Sequence, residues 1–464
     1  MQVAREPQTF AERIAEFICE CPADAIPTNV RDDAVLRVLD TIGVALLAYQ
    51  LDGARTSVNV IKRMDGGSSS TVVGSSVRTS AVAAAFANGS LAHWPDFDDT
   101  DSFSMLHPSS VVVPAALALA EELGSSGAAA LDAMIVGAEV GMRVARCGQH
   151  KFQSRGYHAT GSCGPFTAAA VASRLLGLKP RETVSALGIA GCLAGGLLQG
   201  HSDGSWAKRY FSGWSAHTGI MAASLAAAGA IGSAEIFEGG VGFYRVLLGA
   251  LPEPAVLERL TSDLGETWAL PQTTFKPYPS AAWTHSAIDA LIAIMKEHAL
   301  TQGDIDAIEC RLPLAAIPLV CEPRAAKIRP KTPFHMKLSA PFTIAMAAVL
   351  GHVEAADFND TLLHDERLID LASRVNCIGD AALPPQGFPA TLTVTSRKGG
   401  VYRHAVAAQR GDPANPMTRS DLLQKFTRNA GGMLGESGAQ KLADAIFALP
   451  AASTVRTMMD LTRA

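Results

Sequence analysis

Val35, Val38, Leu39, Ile42 and Leu46 recur at helical spacing between Thr28 and Tyr49, behind a Thr28/Asn29 cap and with Asp32 and Asp33 in the first turn. The pattern predicts an amphipathic helix. Ala-, Leu- and Val-rich stretches at 79–93, 109–124, 127–146, 164–176, 182–198, 214–230 and 253–262 follow, separated by short Gly-, Ser- and Pro-containing breaks. Residues 1–270 are therefore expected to form an all-helical domain.

The period changes after Pro271. Ile308, Cys310 and Leu312 alternate with charged neighbours, and Leu392 and Val394 alternate with threonines ahead of a Lys398-Gly399-Gly400 turn into Val401–Val406, which predicts a hairpin. With helices near 284–299, 338–350 and 366–374, these strands predict a smaller α+β domain over 271–411. The helical period returns after Pro416, at 422–429, 439–449 and 454–461, so residues 412–464 are expected to rejoin the first domain. The expected fold is mainly α with an α+β insertion.

Composition narrows the function. The 464 residues are 48% apolar and 18% charged, a globular balance with room for about two to three domains. A net charge of −5 leaves no basic footprint for nucleic acid or an anionic membrane. The longest uncharged apolar stretches, Ala186–Leu198 and Thr218–Gly232, fall short of the roughly 18 residues of a bilayer span. Arg5, Glu6, Glu12, Arg13 and Glu16 break up the N-terminus, so no secretory signal is expected and the cytoplasm is the expected location. The eight cysteines are scattered without a C-x-x-C pair, which suits reduced thiols and not a disulfide framework, zinc site or cluster.

Four segments carry candidate chemistry. In His93-Trp94-Pro95-Asp96-Phe97-Asp98-Asp99-Thr100-Asp101, followed by His107-Pro108-Ser109, crowded carboxylates beside histidines can shift one another's pKa or hold a cation. A solvated acidic loop capping the next helix accounts for the composition more simply, and the EF-hand glycine and glutamate are missing. Ser154–Pro165 sets His158 and Cys163 among small residues ahead of a helix, whose free amides suit a carboxylate. Ordinary capping with a structural histidine is the simpler reading. Gly200-His201-Ser202-Asp203-Gly204 matches the G-x-S-x-G elbow of hydrolases but lacks the strand that motif needs, since 186–199 reads as helical. Lys208, just beyond it, suits an anionic substrate, although a lone lysine is more simply a surface residue. Lys276 lies between fixed prolines in Phe275–His285, at the junction of the two domains, where a plain linker accounts for the segment equally well. Lys337 offers a further cation before a helix. No P-loop or dinucleotide fingerprint follows a strand, so no nucleotide cofactor is expected.

Taken in order, A-H-x-x-D-F-D-D-T with H-P-S, G-Y-H-x-T-G, the lysine after Gly200, and K-P-Y-P-S-x-x-x-T-H resemble the MmgE/PrpD family across nearly the whole chain. That family includes 2-methylcitrate dehydratase, cis-aconitate decarboxylase and iminodisuccinate epimerase. The resemblance implies a large discontinuous all-helical domain plus a smaller α+β lid domain, a site in the cleft between them, and a homodimer. It implies catalytic roles for His107, His158, Asp96 and Lys208, with substrate contacts from Thr100, Lys276, Tyr157 and Lys337, and neither metal nor cofactor. Lysines would pair with substrate carboxylates, histidines would move a proton at the carbon α to a carboxylate, and Asp96 would orient or charge-stabilise a histidine. The expected activity is a cofactor-independent lyase of a small di- or tricarboxylate, by dehydration or decarboxylation. The alternatives are an epimerase of the same substrate class and a carboxylate-binding protein without turnover. Two positions depart from the family's pattern. No tryptophan follows Thr100, where Asp101–Leu106 runs on to His107, and Phe342 follows Ser339-Ala340-Pro341 where a tyrosine is frequent.

Overall fold

Apolar side chains at helical and strand spacing gather into two separate cores, one drawn from Ala11 to Phe275 and again from Leu422 to Met459, the other from Tyr278 to Val394. The computed structural model describes residues 8–64 and 67–463; Arg5 and Glu6, two of the charges behind the N-terminal expectation, lie outside them. The first core is built by the helices Phe10–Glu20, Thr28–Gln50, Ala81–His93, Ser109–Leu123, Gly127–Gly148, Ala159–Leu176, Pro180–Cys192 and Phe211–Ala227. The pattern did not predict the Phe10–Glu20 helix. It buries Ala11, Ile14, Ala15 and Ile18 on one face and opens with a Thr9/Glu12 capping box.

Three expectations change here. The helix Thr28–Gln50 starts after Pro27 without a side-chain cap, and Asp33 pairs with Arg37 one turn on, at 3.0 Å. The helix expected over 182–198 stops at Cys192, and the chain runs on irregularly past it, with Gly196 at φ +97°, to pair Leu197 with Tyr157. The stretch 253–262 holds only the short helix Pro254–Leu257 and the turn Glu258–Leu260.

The helices Ala81–His93 and Phe211–Ala227 cross at Gly89 and Gly213, where a Cβ on Gly213 would lie 2.1 Å from the Phe86 carbonyl oxygen. This close crossing sets the ends of both helices beside the cleft. Gly213→Ala is expected to lower stability by about 1–3 kcal/mol through overpacking, read as a drop in thermal midpoint. An unchanged midpoint would mean that the helices can part at no cost.

Around the second core, a four-stranded sheet runs in the order Val375–Asp380, Ile305–Pro313, Ala390–Ser396, Val401–Val406. The first pair is parallel and the others antiparallel. Val375–Asp380 was missed because its side chains do not alternate cleanly between buried and exposed. The helices His285–Glu297, Ala340–Leu350 and Glu366–Ser373 complete this core. The fold is thus mainly α with a smaller α+β unit. Past Pro416, Arg419–Phe447 is one run broken at Gly435 (φ 65°, ψ 170°), and it packs back on the first core. There Lys425 reaches the buried Asp40 at 2.7 Å and donates to the Phe97 carbonyl at 3.1 Å. Among the described residues, no helix is long and apolar enough to cross a membrane.

Candidate active site

The loop 94–108, between the helices Ala81–His93 and Ser109–Leu123, carries the acidic cluster into the junction of the two cores. It is not a solvated loop: Asp96, Asp98, Asp99 and Asp101 are all buried. Burying four carboxylates is costly unless each finds a partner, and each does. Asp99 accepts from Arg37 at 3.2 Å and from the Ser109 hydroxyl at 2.5 Å, and Asp101 pairs with Arg146 at 2.8 Å. Burial still pushes the Asp99 carboxyl up to about 6, against Arg37. Reciprocal backbone hydrogen bonds between Thr100 and Thr274, at 3.0 and 2.9 Å, pin the loop to the segment that carries Lys276.

Asp96 takes a left-handed backbone (φ 59°) and accepts from Lys276 at 2.9 Å and Lys208 at 3.0 Å. Burial raises its carboxyl, but the two ammonium groups outweigh that and hold it well below the ordinary range. Of the expected roles for Asp96, orienting a histidine is corrected, since its hydrogen-bond partners are two lysines, while its charge does act on His93, His107 and His201. The carboxylate facing the histidines is Asp98, whose Oδ2 lies 2.6 Å from His93 Nδ1 and 3.6 Å from His107 Nδ1.

The two candidate histidines are held in opposite tautomers by their neighbours. His107 Nδ1 lies 2.7 Å from the Asp99 carbonyl oxygen, which can only accept, so Nδ1 carries the proton and Nε2 keeps a lone pair. His158 caps the helix Ala159–Leu176, and its Nδ1 accepts from the Thr160 amide at 3.2 Å, so its proton sits on Nε2. The rings stack at 5.6 Å between centroids, tilted by 16°. Burial, reinforced by the lysines, drives both imidazoles well below the usual histidine range, so both are neutral at neutral pH. Thr100 Oγ1 stands 3.2 Å from His107 Nδ1.

A cavity of about 580 Å³ opens on this cluster, lined by Asp96, Thr100, His107, His158, Lys208 and Lys276 among others. Two predicted contacts fall outside it. Tyr157 packs against the first core, and its backbone pairs with Leu197. Lys337 is buried and donates to the Pro95 carbonyl at 2.6 Å, tying the second core to the acidic loop; burial depresses its ammonium to about 7. Phe342 likewise lies in the second core and not on the cavity. Cys163 is fully buried, and burial raises its thiol well above the ordinary value, which removes it as a nucleophile. Ser202 sits on the short helix Gln199–Asp203 with no strand ahead of it, so the hydrolase elbow is absent.

Sequence reasoning missed His93, Asp98 and His201. His201 lines the cavity edge-on to His158, and burial with Lys208 depresses it to about 4. His93 and Asp98 stood in the quoted motif, but spacing alone does not show that they meet behind His107. His93, Asp98 and His107 also bring ligating atoms within 4.8 Å of one another, a grouping a metal ion can use, although 2.6 Å between His93 and Asp98 is a hydrogen-bond distance.

Burial lowers His93, His107, His158, His201 and His285 alike. A depressed folded-state value means that the unfolded chain binds more protons below its own value near 6.5, so this stability is present above about pH 6.5 and is lost as pH falls further. Asp99, raised to about 6, works in the opposite sense, as do Asp40, Glu238, Asp289 and Asp357, whose carboxyls burial also raises. The urea midpoint is expected to be clearly lower at pH 5.5 than at pH 7.5, and an equal or higher midpoint at pH 5.5 would show that these histidines are not buried neutral.

Fold and site together define a mainly helical protein with an internal acid–base and cation cluster at the junction of two cores. The chain belongs to the MmgE/PrpD family: it matches that family's N-terminal domain over residues 12–254 and its C-terminal domain over 278–449. It is 26% identical to the cis-aconitate decarboxylase-like protein oryM of Aspergillus oryzae, over 97% of this chain and 96% of that one. Human cis-aconitate decarboxylase is 28% identical over 87% of this chain and 84% of its own. A probable 2-methylcitrate dehydratase of Saccharomyces cerevisiae is 25% identical over 81% and 75%.

Proposed function

We propose that the protein is a cofactor-independent lyase of a small di- or tricarboxylate, a dehydratase or decarboxylase that transfers a proton at the carbon α to a carboxylate. The observation that carries this reading is the pair of oppositely protonated imidazoles beside two lysines in one cavity. Lys208 and Lys276 hold substrate carboxylates as point charges and stabilise the enolate-like intermediate. In a dehydration, Nε2 of His107 takes the α proton, the carbon–oxygen bond breaks, and the hydroxyl leaves as water with the proton of His158 Nε2–H. In a decarboxylation, the carbon–carbon bond to the lost carboxylate breaks, its electron pair stays on carbon, and that carbon takes the proton of His158 Nε2–H, which water then restores. The names of the relatives support the lyase chemistry.

A second reading is favoured by the same pair: one bare and one protonated nitrogen suit an epimerase, which removes a proton and returns another. Proton NMR in deuterium oxide, with citrate, methylcitrate, cis-aconitate and aspartate-derived dicarboxylates, separates the two. Net formation of an alkene or a decarboxylated acid establishes the lyase. Deuterium entering at the α carbon without loss of mass sinks it in favour of the epimerase, and no change across the panel leaves a binding protein.

The reading includes a homodimer, supported by an apolar surface on and after the helix Phe211–Ala227, where Trp214, Ile231 (84% exposed) and Val241 (90% exposed) face outward. Sedimentation velocity showing a monomer at micromolar concentration would remove it. It also places the enzyme in the cytoplasm, where eight unpaired cysteines stay reduced.

A further inference from the structure

Three cysteines come together in the second core, away from the histidines and lysines of the cavity. Cys310 and Cys377 are partners in the parallel pairing of Ile305–Pro313 with Val375–Asp380, so both side chains stand on one face of the sheet. The next position on that face, Gly379, has no room for a side chain: a Cβ there would lie 2.8 Å from the Leu314 side chain and 3.2 Å from that of Ile317. Residues 314–321 therefore pack directly over this strand, and the turn Ile317–Cys321 ends by bringing a third thiol to the other two. Cys310 and Cys321 are buried, whereas Cys377 is partly exposed and its thiol meets both of theirs.

Arg324 lies beside the same strand, donating to the Val375 and Ser373 carbonyls at 2.6 and 2.8 Å. Donation from the two neighbouring thiols, and then Arg324, hold the Cys377 thiol below its ordinary value against burial, while Cys310 and Cys321 are raised above theirs. Cys377 is thus the reactive sulfur of the three, with thiolate character and access to solvent together. Strand geometry selects its partner. Neighbouring strands lie about 4.7–4.9 Å apart, which is wider than the roughly 3.5–4.5 Å between Cβ atoms of a relaxed disulfide. Cys310 is fixed at that spacing, because its strand is paired on both sides, but Cys321 belongs to no strand. The three sulfurs do not close around a metal ion either. Among the described residues, the donors gathered tightly enough for that are His93, Asp98 and His107.

We infer that Cys377 is a redox modification site, oxidised by a hydroperoxide and closed onto Cys321 as an intramolecular disulfide. The Cys377 sulfur attacks one peroxide oxygen, the oxygen–oxygen bond breaks, and the other oxygen leaves as water with the thiol proton, giving a sulfenic acid. The Cys321 sulfur then attacks the Cys377 sulfur, the sulfur–oxygen bond breaks, and the hydroxyl leaves as water with the Cys321 proton. The two thiols lose two electrons and the peroxide gains them. Pro318, Leu319, Val320, Glu322 and Pro323 line the cavity on either side of Cys321, so the bond clamps this stretch of cavity wall to the sheet.

The test exposes the native protein to hydrogen peroxide, blocks the remaining thiols with iodoacetamide and maps tryptic peptides by mass spectrometry. Cleavage at Arg311, Arg324 and Arg374 puts the three cysteines on separate peptides. The expected result is the loss of two free thiols per chain, a peptide pair joined through Cys321 and Cys377, and recovery of both thiols in dithiothreitol. In a Cys321→Ser protein the oxidation should stop at the Cys377 sulfenic acid, captured by dimedone. Amide hydrogen exchange over 314–323 should slow in the oxidised protein. Unchanged thiols after peroxide, or a crosslink from Cys377 to Cys310, overturn the inference, and unchanged exchange over 314–323 in a crosslinked protein overturns the clamp.

Discussion

His107→Gln is expected to lower kcat by about 10²- to 10⁴-fold while leaving the Kd of a non-reacting dicarboxylate nearly unchanged. The glutamine keeps much of the volume and one donor toward the Asp99 carbonyl, so the loop keeps its support. What disappears is the bare Nε2. Because the Asp99 carbonyl fixes the proton on Nδ1, and burial holds the ring neutral, that lone pair is in place at neutral pH without prior deprotonation. The acid limb of the kcat profile should accordingly lie well below the ordinary histidine value near 6.5. A His107→Gln protein with full turnover on an identified substrate would sink the assignment of the base, and an acid limb at 6.5 would show that the ring is not buried as described. His158→Gln should cost a similar factor in a dehydration, where the leaving hydroxyl needs its proton, and in a decarboxylation, where the carbon does; His107→Gln should cost much less in a decarboxylation, which takes no proton from carbon. The pair of variants therefore also reports on the reaction class.

Lys276→Ala is the second large effect. Lys276 is 1% exposed and shares Asp96 with Lys208, so its removal touches both the fold and the substrate. Breaking a buried pair by deleting one partner costs about 3–5 kcal/mol when the other charge is stranded. Here Lys208 remains on Asp96, so the loss is expected near the lower end, about 3 kcal/mol, read as a fall in urea midpoint. For substrate, losing one charge-assisted contact, about 1.5–3 kcal/mol, is expected to lower kcat/KM roughly 10- to 100-fold, with KM carrying most of it. Asp96, left with a single ammonium, should titrate closer to the ordinary carboxylate range. Tight dicarboxylate binding by a folded Lys276→Ala protein would show that the lysine serves Asp96 alone.

The same residues show where reading a sequence stops. Helical spacing marked most of the main helices because a face of Val, Leu and Ala has to be buried wherever the chain goes, and that requirement is local. Strand alternation marked three of the four strands of the larger sheet for the same reason, and failed at Val375–Asp380, where the parallel pairing with Ile305–Pro313 is set by a distant segment, and at the short pair Ser70–Thr71 and Arg78–Thr79. Motifs quoted in order marked Asp96, Thr100, His107, His158, Lys208 and Lys276, all of which line one cavity. Composition misjudged the acidic loop. Four aspartates in a row of six look solvated unless Arg37, Arg146, Lys208 and Lys276 are known to converge on them, and those partners come from four separate elements.

By itself, then, the sequence determined which stretches coil, which alternate and which residues are chemically able to move a proton or hold an anion. Only the tertiary structure decided that Asp96 answers to lysines and Asp98 to histidines, that Tyr157 and Lys337 turn away from the cavity, and that the proton sits on Nδ1 of His107 but on Nε2 of His158. The physical reason is common to all of these. Ionisation and tautomer depend on the few ångströms around a group: Lys208 and Lys276 reach Asp96 from 112 and 180 residues away, while the Asp99 carbonyl and the Thr160 amide lie only 8 and 2 residues from their histidines but meet them only in the folded geometry of the loop and the helix start.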